Sequence, residues 1–236
     1  LHASAAVFQK PSRARDGRRA RCRGGAVIAA LLAASLIGAS MTADPVTVAQ
    51  AHFDHVRSYR ATIRSSARGG EHTEIRYAYL KPGFVRMDFV SPHHGAVLAY
   101  DPGDGKVRLR PFGAHAPPAL TLSPSNPLVR DRSGHRVDRS DVGELLRNVH
   151  ALQEGGATVT EGEEAVGGRT ALRVSVTGAP AHAVDGVHRY RLWLDTEDGF
   201  PLKVVSFADG DDVPLETVTL DDVEIDVAFP ERFFAP

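Results

Sequence analysis

Cysteine is almost absent from this sequence, since Cys22 is the only one among its 236 residues. From residue 44 to the end there is no thiol, which excludes a disulfide, a cysteine nucleophile and a cysteine-based metal site in that part of the chain. That part must therefore fold by burying an apolar core, which its length allows. Cys22 also precedes the apolar run of the N-terminal segment, whereas a lipid-bearing cysteine would follow such a run.

Sequence motifs of common enzyme classes are absent as well. There is no Gly-x-Ser-x-Gly elbow of an α/β hydrolase, no phosphate-binding P-loop and no dinucleotide-binding fingerprint. We therefore expect no catalytic residue, no cofactor and no metal ion, and we predict that the protein is not an enzyme.

Two histidine-containing clusters come nearest to a metal site or an acid–base pair. His93 and His94 are adjacent, and His135 is followed in the same loop by Asp138. Adjacent side chains of an extended strand point to opposite faces, which makes His93 and His94 a poor chelating pair. The other two lie in a polar loop, where side chains commonly cap turns. We therefore favour structural roles for all four.

The formal net charge of −1 hides an uneven distribution of charge along the chain. Residues 1–43 contain seven Lys and Arg and one Asp, so residues 44–236 contain 21 basic and 28 acidic residues, a net charge of −7. An acidic domain argues against nucleic-acid binding, which needs a basic surface. The composition, with 42% apolar and 24% charged residues, also excludes a disordered chain and a polytopic membrane protein.

Residues 1–43 have the three parts of a secretory signal peptide in the expected order. Positive Arg13–Arg23 is followed by the apolar run Ala26–Gly38 and by small residues that end at Ala43. The run has 13 residues, whereas a membrane-spanning helix needs about 20. We therefore predict export to the periplasm with cleavage near Ala43, which leaves residues 44–236 as the mature domain. An uncleaved inner-membrane anchor is the alternative.

Helical patterns occur twice in the mature domain. Asp44-Pro45 is typical of a helix start, an N-cap residue followed by proline at the first helical position. The second helix is predicted to begin at Ser140 or Asp141 and to end at Gly155-Gly156. Each start is followed by an apolar stripe at helical spacing, namely Val46, Ala49, Phe53 and Val56 in the first helix and Val142, Leu145, Leu146 and Val149 in the second.

Much of the remaining domain alternates between apolar and polar residues, the pattern of antiparallel strands with one wet face. The clearest examples are Ile75–Leu80, Val85–Phe89, Lys106–Arg110, Leu172–Thr177 and Arg189–Leu194. We count ten or eleven strands in a meander, and so many strands must curl or close. The apolar face of a curled sheet needs cover, either from helices or from a ligand.

Short stretches of the chain resemble one known family. In Val56–Ile63 an aromatic residue follows a serine, and in Leu80–Met87 a turn made of a basic residue and proline lies between two strands. Ala96–Asp101 is followed by Gly105-Lys106, as in a hairpin. The last stretch is the ending Phe229–Phe234. With the order helix, strands, long loop, helix, strands, they resemble the outer-membrane lipoprotein-sorting carriers, the LolA-like family.

The resemblance implies a mainly β fold with two helices (α+β), an open antiparallel half-barrel of about 10–11 strands lidded by helices. Carriers of this family hold the acyl chains of lipoproteins in an apolar cavity. We therefore expect a periplasmic carrier that binds lipid or lipoprotein acyl chains and delivers them toward the outer membrane. Its expected partners are an inner-membrane release complex and an outer-membrane receptor. An envelope sensor or regulatory protein-binding module on the same fold is the alternative.

Candidate ligand-binding residues follow from the strand pattern together with the resemblance. The predicted apolar lining consists of Ile75, Tyr77, Tyr79, Val85, Met87, Leu98, Tyr100 and Leu109. The lid is expected from the proline-rich loop 113–138 and the helix near 141–152, and the predicted lid or rim residues are Lys81, Arg86, Leu145 and Leu146. In the carriers the residue that matches Lys81 is an arginine that helps to close the lid. A closed core formed by the same strand residues is the alternative.

Charged residues on the later strands are expected to be solvated. Arg189, Arg191 and Trp193 share one strand face and would suit lipid phosphates or a partner, but a solvated face opposite acids of the next strand is the interpretation we favour. We expect the same of the acids near the end of the chain, Asp221, Asp222, Glu224 and Asp226.

Overall fold

The computed structural model describes residues 43–113, 119–130 and 136–235. The predicted signal peptide therefore lies outside the described residues except for Ala43, and so does His135 of the predicted loop. Within the described ranges, no helix is both long enough and apolar enough to cross a membrane.

Eleven antiparallel strands form one sheet in the part of the chain that the structure describes. In chain order they are β1 (Ser58–Ala67), β2 (His72–Leu80), β3 (Phe84–Ser91), β4 (Val97–Asp101), β5 (Lys106–Arg110), β6 (Leu120–Leu122), β7 (Ala157–Val166), β8 (Arg169–Thr177), β9 (Arg189–Asp195), β10 (Pro201–Phe207) and β11 (Glu216–Ile225). Their order across the sheet is β6-β5-β4-β3-β2-β1-β11-β10-β9-β8-β7. Strands β6 and β7 form the two edges, so the sheet is open. The predicted mainly β, open antiparallel architecture is confirmed.

Two α-helices, α1 (Pro45–His55) and α2 (Val142–Gln153), accompany the sheet. Each begins at an aspartate whose carboxylate accepts a hydrogen bond from a first-turn amide that lacks a partner within the helix. Asp44 accepts from Thr47 N at 2.8 Å, and Asp141 accepts from Glu144 N at 3.1 Å. Of the two N-caps proposed for the second helix, the structure therefore has Asp141.

The predicted long loop after β5 contains more structure than the sequence indicated. It includes the three-residue strand β6 and two short 3-10 turns, Pro127–Val129 and Val137–Arg139. The prolines of this segment obscure any periodicity, and β6 exists because β5 offers it a hydrogen-bonding edge. Val129 and Val137 of the two turns are buried in the main core, so the described parts of the loop cover the sheet.

One face of the sheet, which we name the inner face, packs against both helices. The buried residues Val46, Ala49 and Phe53 of α1 and Leu146 and Val149 of α2 join the same core cluster as inward-pointing strand residues. The opposite, outer face carries most of the strands' charged side chains. The apolar stripes predicted for the helices thus explain where both helices lie.

The two helices approach each other closely at Gly143, the second residue of α2. A Cβ atom added there would lie 2.7 Å from Cε1 of Phe53 and 2.8 Å from Oδ1 of Asp141. The other side of α1 contacts the turn between β9 and β10, where His52 Nδ1 lies 2.9 Å from the carbonyl oxygen of Asp198. Helix α1 is therefore held between α2 and the sheet.

Ion pairs cross the outer face between β1 and β11. Arg60 Nη2 lies 2.6 Å from Glu224 Oε1, and Arg64 Nη1 lies 2.5 Å from Asp221 Oδ2. Two of the acids expected to be only solvated are thus paired with arginines of the neighbouring strand. These groups are partly exposed, so each pair is worth at most about 1 kcal/mol.

A small apolar cluster also lies on the outer face, formed by Trp193 with Ala171, Leu202, Val205 and Phe207. Trp193 is 4% exposed. Its Nε1 donates to Glu164 Oε2 at 3.0 Å, and Lys203 Nζ lies 4.4 Å from the ring centroid. The face expected to be solvated therefore contains a small apolar cluster beneath its charges.

Replacing Gly143 with alanine tests the close packing of the two helices. We expect Gly143→Ala to lower the free energy of unfolding by about 1–3 kcal/mol, because the Phe53 ring that the new methyl group meets is itself buried. Urea unfolding followed by circular dichroism measures the change. Gly69→Ala is the matched control, since a Cβ atom there has nothing within 4 Å. Equal stability of the two variants would contradict the packing described here.

Candidate functional site: the inner face and its helical cover

The eight predicted lining residues share the inner face. In the strand registers Tyr79 lies opposite Val85 and Val85 opposite Tyr100, while Met87 lies opposite both Tyr77 and Leu98. Side chains directly opposite each other in antiparallel strands point to the same face. The remaining two predicted residues, Ile75 and Leu109, continue the same face on β2 and β5. Seven of the eight predicted residues therefore form two transverse apolar rows, and Ile75 lies in the next row, opposite Phe89.

The centre of this face is closed in the structure. Tyr77, Tyr79, Val85 and Leu98 are between 2% and 5% exposed. Met87, Tyr100 and Leu109 are partly buried against the same core, and Ile75 is partly exposed. The helices and the 3-10 turns supply the cover. An acyl chain can therefore reach the four buried side chains only if part of the cover moves, and the role of the eight residues as a lining remains a prediction.

Tyr59 of β1 is the centre of an aromatic cluster beneath the cover. Its ring stacks on Tyr77 at 5.7 Å and on Tyr79 at 5.2 Å between centroids. Phe53 of α1 and Phe200 meet the same ring edge-on at 6.1 and 5.1 Å. Each such pair adds about 0.5–1.5 kcal/mol beyond burial. Tyr59 was not among the predicted site residues, although its alternation with Ala61 and Ile63 already placed it on an apolar strand face.

Two tyrosine hydroxyls hold the beginning of α2 against the sheet. The amide of Val142, the first residue of the helix, donates to the hydroxyl oxygen of Tyr59 at 3.2 Å. The hydroxyl of Tyr77 donates to the carbonyl oxygen of Ser140 at 3.3 Å. The Val142 amide has no partner within the helix, because the first-turn N–H groups of an α-helix have none. We name this pair of contacts the tyrosine clamp.

Burial disfavours ionisation of the tyrosine hydroxyls beneath the cover. Removal from water raises the pKa of Tyr59 well above its ordinary value of 10, and the neighbouring Tyr77 raises it further. Burial also raises the pKa of Tyr77 far above that value and the pKa of Tyr79 to about 12. At any pH near neutrality these groups are uncharged, so they donate and accept hydrogen bonds within an apolar environment.

Lys81 holds the other end of the cover, the C-terminus of α1. Its ammonium group donates to the carbonyl oxygens of Phe53 at 3.1 Å and Asp54 at 2.8 Å. Carbonyl groups of the last helical turn lack partners within the helix, and a cation is favourable there. The nitrogen also lies 5.4 Å from the centroid of the Phe53 ring. A lysine here contacts the cover directly, without the planar fork of an arginine.

The other three predicted lid or rim residues have different positions. Leu146 of α2 is fully buried in the core, and Leu145 packs on it while partly exposed. Arg86 points to the outer face, where it forms a bidentate pair with Asp88 and donates to the carbonyl oxygen of Phe233 at 2.7 Å. Its contacts in the described structure are thus with the C-terminal segment, on the face opposite the helices.

Two clefts lie away from the predicted lining. The larger, of about 520 Å³, runs beside the C-terminal segment 226–235 and is lined by Phe84, Phe229, Phe233 and Phe234 among others. The smaller, of about 320 Å³, lies at the β1–β2 hairpin and is lined by polar residues such as Arg64, His72 and Glu74. Neither contains any of the eight predicted lining residues.

The histidine and aspartate candidates have local structural contacts. His93 lies in the β3–β4 turn with φ 58° and meets the Phe89 ring at 6.4 Å between centroids. Asp138 forms an ion pair with Arg136 at 2.6 Å. Among the residues that the structure describes, no group of three or more His, Cys, Asp or Glu is arranged to hold a metal ion.

No protein-family model and no curated protein matches the sequence. Solved structures similar to this chain include MucB in the Pseudomonas aeruginosa MucA/MucB complex, a Vibrio parahaemolyticus protein described as an outer-membrane lipoprotein-sorting domain, and a LolA superfamily protein from Nitrosomonas europaea. Their sequence identities are 18%, 13% and 12%, and their TM-scores are 0.49, 0.37 and 0.32.

The alignments with these three structures cover 80%, 80% and 81% of this chain and 60%, 95% and 97% of the respective other chains. The chain therefore spans less than two thirds of MucB. The family that the sequence resembles is represented among these structures. Likenesses at this level of identity and TM-score concern the fold and carry no argument about function.

Removing the Tyr59 hydroxyl tests the tyrosine clamp. We expect Tyr59→Phe to lower the free energy of unfolding by about 1–3 kcal/mol, because the buried amide of Val142 loses its acceptor. Hydrogen exchange at Val142 and its neighbours should accelerate more than exchange elsewhere in the core. Tyr79→Phe is the matched control, since its stacked ring is similar but its hydroxyl makes no hydrogen bond within the described residues. Equal effects of the two variants would contradict a clamp that depends on the hydroxyl.

Proposed function

We propose that this protein is an exported periplasmic carrier that binds lipid or lipoprotein acyl chains non-covalently and delivers them toward the outer membrane. The observation that carries the proposal is the inner face, a continuous apolar surface whose cover is attached at its ends by a few polar contacts. The sequence resemblance to the lipoprotein-sorting carriers supports it independently. An inner-membrane release complex and an outer-membrane receptor belong to the same proposal.

The energetics of an acyl ligand suit this arrangement. Each buried methylene is worth about 0.8 kcal/mol, so a 16-carbon chain offers on the order of 12 kcal/mol before ordering costs. The hydrogen bonds between the cover and the hydroxyls of Tyr59 and Tyr77 are worth about 1 kcal/mol each, and those that charged Lys81 donates are worth about 1.5–3 kcal/mol. An acyl chain that replaces helix side chains on the inner face keeps that face dry while these bonds are broken. No catalytic group is needed for such binding and release.

A second candidate function is that of an envelope sensor or regulatory module that binds a partner protein. The observation in its favour is that the inner face is already filled by the protein's own helices, with Tyr77 and Val85 only 2% exposed. A module of this kind would use an outer surface and would keep the inner face as an ordinary core. The two functions differ in whether the inner face admits an apolar ligand.

Uptake of a fluorescent fatty acid from solution separates the two functions. We expect saturable binding by the wild-type protein that palmitate displaces. Leu98→Trp should weaken this binding about tenfold or more, because the added indole fills inner-face volume that the chain would occupy. Val213→Trp, at an exposed turn position, should bind like the wild type.

Circular dichroism and thermal unfolding establish that each variant is folded before binding is measured. If Leu98→Trp does not fold, Ala61→Val adds a smaller volume on the same face, opposite Tyr77. No uptake by the wild type, or equal uptake by the inner-face variant and Val213→Trp, would refute the carrier and favour the protein-binding module.

A further inference from the structure

The β6 edge of the sheet exposes large apolar side chains. Phe112, just after β5, is 78% exposed; Leu128, in the turn after β6, is 68% exposed; Leu120, in β6 itself, is 46% exposed. Phe112 and Leu128 are the two most exposed large apolar residues in the part of the chain that the structure describes. All three lie on β6 or in the segments that adjoin β5 and β6, and exposed apolar residues that occur together are typical of an interaction site.

The same edge is basic in a domain that is acidic as a whole. Between Asp104 and Asp131 the sequence contains no Asp or Glu, and its four cations are Lys106, Arg108, Arg110 and Arg130. Arg108 is paired with Asp101 and Asp104 at 3.7 and 2.5 Å. Lys106 and Arg130 are exposed. This stretch is therefore locally basic, although residues 44–236 carry a net charge of −7.

The opposite edge has the reverse character. Strand β7 contains Glu161, Glu163 and Glu164 and no Lys or Arg. Its one large apolar residue with high exposure is Val159, at 55%. The two edges of the open sheet are therefore chemically distinct, and only the β6 edge combines cations with exposed aromatic and aliphatic side chains.

The apolar inner face reaches solvent at the β6 edge. The transverse row through Tyr77, Met87, Leu98 and Leu109 ends at Leu120, because Leu109 lies opposite Leu120 in the β5–β6 register. Tyr77 and Leu98 of this row are 2% and 5% exposed, whereas Leu120 at its end is 46% exposed. The ligand-binding surface proposed above and the exposed edge are thus one continuous apolar strip.

Because side chains alternate along a strand, the apolar and the cationic side chains of the β6 edge lie next to each other, on opposite faces of the sheet. Leu120 and Leu122 lie on the inner-face side of the edge, whereas Lys106 and Arg108 of β5 lie on the outer-face side, since Val107 and Leu109 point inward. A bilayer surface offers the matching order, with acyl chains next to phosphate headgroups. Apolar side chains insert at that boundary while cations contact anionic headgroups.

From this combination we infer that the β6 edge, comprising Lys106, Arg110, Phe112, Leu120, Leu128 and Arg130, docks on the anionic headgroups of a lipid bilayer. The acyl chain then passes from the bilayer onto the inner face along the row that ends at Leu120. The docking does not depend on the proposed carrier function. The passage of the acyl chain rests on that function. An acidic protein surface would match the cations but would not supply a chain to the apolar strip.

Flotation with lipid vesicles tests the docking. The protein is recovered from the periplasmic fraction and its N-terminus is verified by mass, so that all variants carry the same N-terminal segment. We expect the wild type to bind vesicles of phosphatidylcholine with phosphatidylglycerol more tightly than vesicles of phosphatidylcholine alone, and added salt should weaken the binding. Lys106→Gln with Arg130→Gln should weaken partition about fivefold for each cation removed. Phe112→Ser with Leu128→Ser should weaken it about tenfold.

Matched control pairs come from the rest of the surface. Val159→Ser with Val213→Ser removes exposed apolar residues elsewhere. Arg57→Gln with Arg232→Gln removes exposed cations beside the larger cleft, at the C-terminal segment 226–235. Both control pairs should partition like the wild type. Equal partition of edge and control variants, or no preference for anionic vesicles, would overturn the proposal. Wild-type protein that fails to bind vesicles would overturn it as well and would point to an acidic protein partner.

Fatty-acid uptake from solution distinguishes failure of the docking from failure of the carrier function. The edge variants should keep wild-type uptake of the fluorescent fatty acid, because their changes lie outside the buried part of the inner face. Edge-dependent vesicle binding without any uptake would support the docking and refute the carrier. Uptake together with edge-independent vesicle binding would refute the docking and leave the carrier function intact.

Discussion

The need to cover one apolar face of an open sheet governs this structure. Eleven strands in antiparallel order leave β6 and β7 unjoined, so the sheet cannot hide its inner face by closing on itself. The face is rich in aromatic and aliphatic side chains, and exposing it to water would cost about 25 cal/mol for each Å². The two helices and the two 3-10 turns all pack where this requirement places them. The charges of the outer face, by contrast, are largely paired across neighbouring strands.

The cover is attached to the sheet in two ways that differ in kind. Apolar packing supplies most of the attraction, is not directional, and could be supplied equally by another apolar group. Polar contacts at Tyr59, Tyr77 and Lys81 instead specify where each helix begins or ends. Their modest net strength means that they set the position of the cover without making it permanent. This combination suits the proposed exchange, in which an acyl chain takes the place of helix side chains on the inner face.

Much of the fold could be predicted from local patterns in the sequence. Period-two alternation places Tyr77, Tyr79 and Val85 on one face, and the aspartate N-caps locate both helices. The same alternation indicates that Arg86 points away from Val85 and Met87, toward the outer face where the structure has it. Strand β6 could not be predicted, because three residues among prolines show no detectable periodicity and their extended conformation depends on pairing with the edge of β5.

The tyrosine clamp could not be predicted, for a different reason. Its hydrogen bond joins Tyr59 to Val142, two residues that are 83 positions apart in the chain. No local pattern connects a strand tyrosine with the amide of a distant helix start, so the contact depends on the tertiary arrangement. The exposed basic edge was missed for a related reason, since it adjoins a segment that the sequence presented only as a proline-rich loop.

Native mass spectrometry of the protein purified without detergent from the cells that produce it tests the central claim most directly. The account predicts a complex heavier than the protein by the mass of one lipid or acylated peptide, with the same molecule recovered by solvent extraction after unfolding. A mass equal to that of the polypeptide alone, together with an extract that contains no stoichiometric lipid, would contradict the claim that the inner face holds an acyl chain.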